Sequence, residues 1–109
     1  MKLLTRSIEK ELAKYPLYSQ QSKGEDAEVV CKFFSPVGAF TWYVLEGEYL
    51  EFDEIGFDWQ FFGIVINNYG EKEYGYFNLS ELESIRLPHG LTIERDIWFE
   101  KCKVKYIQQ

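Results

Sequence analysis

Three groups of residues in this 109-residue chain have types and spacings that could do chemistry. The first is Glu94-Arg95-Asp96, with the single histidine, His89, just upstream. In an extended segment Glu94 and Asp96 share a side, and two carboxylates so placed could divide general acid and general base work. No nucleophile, phosphate-binding loop or metal-ligand spacing accompanies them, and a structural ion pair or turn cap explains the same residues. An enzyme built on Glu94, Arg95 and Asp96 is therefore the least favoured reading, and no catalytic residue is assigned.

The second group is an acidic block. No Lys or Arg lies between Phe33 and Glu71, while Glu46, Glu48, Glu51, Asp53, Glu54, Asp58 and Glu71 all fall there, so this segment accounts for the formal net charge of −6 and the remainder is close to balanced. Such a segment repels phosphates and attracts cationic surfaces over about 8 Å in physiological salt. Glu46, Glu48, Glu51, Asp53, Glu54 and Asp58 are expected to form one exposed acidic surface that recognises a basic partner. A solvated, solubilising loop is the plainer alternative. Calcium fits poorly: counted from Glu51, Gly56 falls at the sixth place of a binding loop, but Ile55 and Phe62 stand at the fifth and twelfth, where oxygen ligands belong.

The third group is aromatic. Phe40, Trp42, Trp59, Phe61, Tyr74 and Tyr76 alternate along three candidate strands. Aromatic sheet faces can stack single-stranded bases, so Trp42, Trp59 and Tyr76 are the residues a nucleic-acid accessory protein would use. Base stacking normally comes with a basic groove, and these rings sit in or beside the acidic block. Nucleic acid is accordingly not the expected partner, and core packing explains one face of the rings.

Neither cysteine has a second Cys or a His at ligand spacing, so no metal site and no cofactor are expected. Cys31 and Cys102 read as free thiols, since Met1-Lys2-Leu3-Leu4-Thr5 runs at once into charged residues and forms no export signal. Asn78-Leu79-Ser80 is then a chance match to a glycosylation sequon. Charges or turn residues interrupt every apolar run short of the roughly 20 residues of a membrane helix, and a cytoplasmic protein is expected.

The elements that must position these residues follow from periodicity. Thr5 can cap a helix with Leu4, Ile8, Leu12 and Tyr15 on one side, stopped by Pro16 at about Lys14. Ser19 to Asp26 is a polar loop. From Ala27 to Phe34 the period becomes two, Ser35-Pro36-Val37-Gly38 turns the chain, and Phe40 to Leu45 completes a hairpin. Asp58 to Ile66 and Glu73 to Phe77 are two further strands joined at Asn67-Asn68-Tyr69-Gly70-Glu71. Gly63 and Gly75 interrupt them, which predicts a bulge or a close approach there, with a helix expected to cross. A second helix begins at Asn78 or Ser80, Pro88 and Gly90 end it, and a short strand falls within 92–96. Residues 100–109 read as a flexible tail or an edge strand whose lysines deter pairing.

Several ordered segments resemble an uncharacterised bacterial family, domain of unknown function 2958. They are Lys2-Leu3-Leu4-Thr5, Lys32-Phe33-Phe34-Ser35-Pro36 with Gly38, Thr41-Trp42-Tyr43, Glu46-Gly47, Phe61-Phe62-Gly63, Gly75-Tyr76-Phe77 with Leu79, Glu81 and Leu82, and Gly90-Leu91 followed by Ile93-Glu94-Arg95-Asp96. The chain departs from the pattern at Val37 and across Glu48 to Asp58. The resemblance implies a small bacterial protein of the kind carried on plasmids, phages and integrated elements, and it implies no activity.

The sequence thus predicts one α+β domain over 1–109: an antiparallel sheet of four to five strands with two helices packed on one face. Phe33, Trp42, Phe62 and Leu82 are expected in its core. The favoured function is non-catalytic protein interaction through the acidic surface.

Overall fold

Thr5 opens the first helix as expected, its hydroxyl accepting from the Ile8 N–H at 3.2 Å. In a computed structural model that describes residues 1–107, this helix, α1 (Arg6–Leu12), unwinds before Pro16 and lays Leu12, fully buried, against the sheet. The strands are β1 (Glu28–Val29), β2 (Cys31–Phe34), β3 (Thr41–Phe52), β4 (Gly56–Ile66) and β5 (Lys72–Asn78). After β5 come a second helix, α2 (Leu79–Ser84), then β6 (Glu94–Arg95) and β7 (Cys102–Lys103).

Five strands form an antiparallel sheet in the order β5-β4-β3-β2-β6, and β1 pairs with β7 in a small second sheet. The fold is α+β and mostly sheet. The segment read as one strand from Ala27 divides at Val30 into β1 and β2, and the tail read over 100–109 contributes β7 before residues 108 and 109, which lie outside the described residues.

One face of the sheet carries Phe33, Trp42, Val44, Phe61 and Phe77, covered by Leu3, Leu4, Leu12 of α1 and Leu82 of α2. Phe33 and Phe61 meet at 6.1 Å between ring centres, and each buried ring of this kind removes about 150–250 Å² from water. The second face, for which no cover was expected, packs Tyr43, Leu45, Ile64 and Ile66 under Ala27, Val29 and Val104.

Phe62 belongs to this second face and is only half-buried. Its expected place in the main core is taken by Phe61, because successive residues of a strand point to opposite faces.

A bulge lies in β3 between Val44 and Glu46, opposite Gly63 and Phe62 of β4. A Cβ on Gly63 would stand 1.9 Å from the Tyr43 carbonyl oxygen, so the glycine is required by the neighbouring strand and not, as expected, by a crossing helix. Gly75, its partner on β5, has open space instead.

α2 takes the Asn78 alternative for its N-cap. The Asn78 N–H donates to Glu81 Oε1 at 3.2 Å in a capping box. The helix ends at Ser84, ahead of Pro88 and Gly90.

Candidate functional site

β3 does not stop at Leu45. It runs to Phe52 and returns as β4, so most of the acidic block is a long hairpin with its tip at 53–55. The expectation of one exposed acidic surface fails at Glu46 and Asp58, which are 0% and 7% exposed.

The bulge is the physical reason at Glu46. Period-two alternation would place residue 46 beside Trp42 and Val44 under the helices, but the extra residue, Leu45, turns Glu46 to the other face. There Oε1 accepts the Tyr18 N–H at 2.8 Å, and Oε2 accepts the Gln20 N–H at 2.7 Å. Glu48 accepts the Leu17 N–H at 3.0 Å, and the Gly47 N–H donates to the Tyr15 carbonyl at 3.1 Å. Two carboxylates thus fasten the loop after α1 along the side of β3 that β2 leaves open. Tyr18 takes φ 73°, and its N–H and that of Gln20 both reach Glu46, while the Ser19 N–H between them donates to the Pro16 carbonyl at 3.1 Å. The Tyr76 hydroxyl beside it pushes the Tyr18 phenol above its ordinary value.

Asp58 serves α2. It accepts from the Ser80 N–H at 3.3 Å and from the Ser80 hydroxyl and Asn78 amide, placing negative charge at the helix start. Of the six acids, Glu51, Asp53 and Glu54 remain exposed at the hairpin tip.

Apolar side chains stand with them. Tyr49, Ile55 and Phe57 are exposed on the same hairpin, Tyr49 stacking on Phe57 at 5.3 Å between ring centres. Together with Trp59 and Leu79 they line an open recess of about 380 Å³, with Glu83 of α2 on its far side. This recess, whose lining also includes Asp58 and Ser80, lies on the same hairpin as exposed Glu51, Asp53 and Glu54 and is the candidate site. Sequence reasoning passed over Tyr49, Ile55, Phe57 and Glu83. The available signal was three large apolar residues among charges in a stretch taken for a loop.

The other two candidate groups are not brought together. Trp42 and Trp59 lie with the main core, while Tyr76 stands on the opposite face against Phe62 at 5.1 Å. Trp42, Trp59 and Tyr76 therefore share no stacking surface, since the strand register sends odd and even positions of β4 and β5 to different faces.

Glu94, Arg95 and Asp96 diverge as well. Arg95 donates to the carbonyls of Lys2 and Leu3, pinning the N-terminal segment to β6. Asp96 pairs with Lys32 at 3.5 Å and accepts the Trp98 N–H at 2.9 Å, while His89 is exposed with φ 64°. The turn and ion-pair alternative describes Asp96, whereas Arg95 is held by backbone carbonyls instead.

Cys31 and Cys102 are free. Burial pushes the Cys31 thiol up to about 12. Among the described residues no group of acids, histidines or cysteines is arranged to hold a metal ion, and no helix is long and apolar enough to cross a membrane.

Residues 3–106 match the family described as Protein of unknown function (DUF2958). No curated protein and no solved structure matches the chain.

Proposed function

We propose, for a chain that belongs to the DUF2958 family, non-catalytic protein interaction: the tip of the β3–β4 hairpin docks a basic partner segment anchored by an apolar side chain. The observation that carries this reading is the coincidence of exposed Tyr49, Ile55 and Phe57 with exposed Glu51, Asp53 and Glu54 on one hairpin. Buried acids in the same block have structural partners, whereas these three are left to solvent. Aromatic anchors supply contact area, and rim carboxylates steer a cationic segment to it. The bacterial, mobile-element setting is part of this proposal and rests on the sequence resemblance.

The test begins with affinity capture from bacterial lysate at low and moderate salt, with and without nuclease, followed by titration of a captured partner. E51Q/D53N/E54Q should slow association and remove most of its salt dependence, while Y49A/F57A should speed dissociation. Equal affinities for wild type and both variants would reduce the tip to a solubilising feature. Recovery abolished by nuclease would favour nucleic acid instead.

A further inference from the structure

The five-stranded sheet ends differently on its two sides. On one side the outer strand is β6, two residues long and clamped through Arg95 to the N-terminal segment. On the other it is β5, seven residues long. β5 has neither a proline nor a bulge against β4, and its one lysine, Lys72, stands at its first position. Among the described residues, the main-chain groups of 72–77 bond to no element but β4. The unpaired N–H and C=O groups along the outer side are a ready template for another strand.

Gly75 supplies an independent observation. Its φ is not in the left-handed region, and a Cβ there would meet nothing within 4 Å. Nothing inside the chain requires glycine at this place, whereas a backbone approaching from outside is a recognised use of a strand glycine. On the opposite face Tyr74 and Tyr76, 50% and 46% exposed, stand beside Phe62, with Tyr18 6.4 Å from Tyr76 between ring centres.

The geometry points to β5 as the docking edge for a second copy of this chain, joined antiparallel about a two-fold axis at Gly75. Such an axis, normal to the sheet, preserves the two faces, so each residue meets one of its own parity. Gly75 is the midpoint of Lys72–Asn78, and centring there pairs the strand along its whole length. Tyr74 of each copy then faces Tyr76 of the other, Lys72 faces Asn78, and Glu73 faces Phe77. No like charges oppose one another, whereas centring on Glu73 would set that carboxylate against itself. The result is one sheet running through both copies, formed independently of the hairpin tip.

Sedimentation velocity from micromolar to millimolar protein should show a monomer–dimer equilibrium, with amide exchange of residues 72–77 slowing as the dimer forms. In a C102S background, G75C should give a disulfide-linked dimer under mild oxidation, and E73C should give far less, because opposed strand positions alone approach closely enough. Y74K/Y76K, which opposes like charges in this register, should dimerise about tenfold more weakly than Y74K/Y76E, which opposes unlike ones. Circular dichroism of both variants checks that they fold, and the exchange measurement needs no variant. A wild type that stays monomeric with concentration-independent exchange would overturn the proposal. So would a dimer that both charge variants retain equally, since it would use another surface.

Discussion

Gln20 and Glu46 lock together across 26 residues of sequence: the Gln20 N–H donates to Glu46 Oε2 at 2.7 Å. The Gln20 side-chain amide donates to the Leu45 carbonyl at 2.7 Å and the Glu28 carbonyl at 2.9 Å, while its oxygen accepts the Glu28 N–H at 2.7 Å. One buried glutamine and one buried carboxylate thereby join the loop after α1, the bulge in β3 and the start of β1.

Glu46→Ala should destabilise the fold by about 2–4 kcal/mol, because it leaves the buried Gln20 N–H and the part-buried Tyr18 N–H without an acceptor. Glu51→Ala, at an exposed position of the same strand, should change stability by less than about 0.5 kcal/mol. Urea denaturation of the two variants reads the contrast. Equal small losses would mean that the loop does not depend on the carboxylate.

The register of β4 has an equally direct readout. Phe61→Ala should cost about 3–5 kcal/mol, as for a fully buried ring, and Phe62→Ala about 1–2 kcal/mol. The reverse order in thermal or urea melts would place β4 one residue out of register, since a single step exchanges the faces.

Cys31 makes a prediction about alkaline pH. Its folded thiol is held up to about 12 by burial, while the unfolded thiol titrates near the ordinary value of about 8.5. The folded state binds the proton more tightly, so this contribution to stability is complete below about pH 8.5 and is lost progressively as pH rises toward 12. Cys31→Ala should flatten that part of the stability profile. In the native protein near pH 8, iodoacetamide should modify half-buried Cys102 and reach Cys31 only on unfolding. Equal labelling of the two thiols would contradict the burial of Cys31.

Local chemistry made much of the fold legible. Thr5 as a cap, the Ser35-Pro36-Val37-Gly38 turn and the Asn67 to Glu71 turn each depend on near neighbours, and each element stands where that chemistry places it. The candidate site was harder to read because its acids have distant partners. Glu46 and Asp58 carry the same charge as Glu51 and Asp53, and only contacts 20 to 28 residues away separate buried from exposed. Gly63 signalled the irregularity correctly but not its source: the approaching backbone belongs to the adjacent strand. That the extra residue sits in β3 was not legible, and this concealed the switch of face that buries Glu46 and lets the hairpin continue through a charged stretch.

The clamp of Arg95 on Lys2 and Leu3 spans 93 and 92 residues, and it sets an order of events during synthesis on the ribosome. β2, β3, β4 and β5 pair in the order in which they are made, each with the strand just before it, so this meander can assemble as soon as Asn78 has emerged. Lys2 and Leu3 must wait until Arg95 has been made. Until β6 emerges, Leu3 and Leu4 lack the arginine that holds them over Phe33 and Trp42, and the nascent sheet presents that apolar face to the cell. Closure of this face is therefore a late, chain-spanning step, and a ribosome stalled between Asn78 and Arg95 would display a paired sheet with its helical cover unsecured.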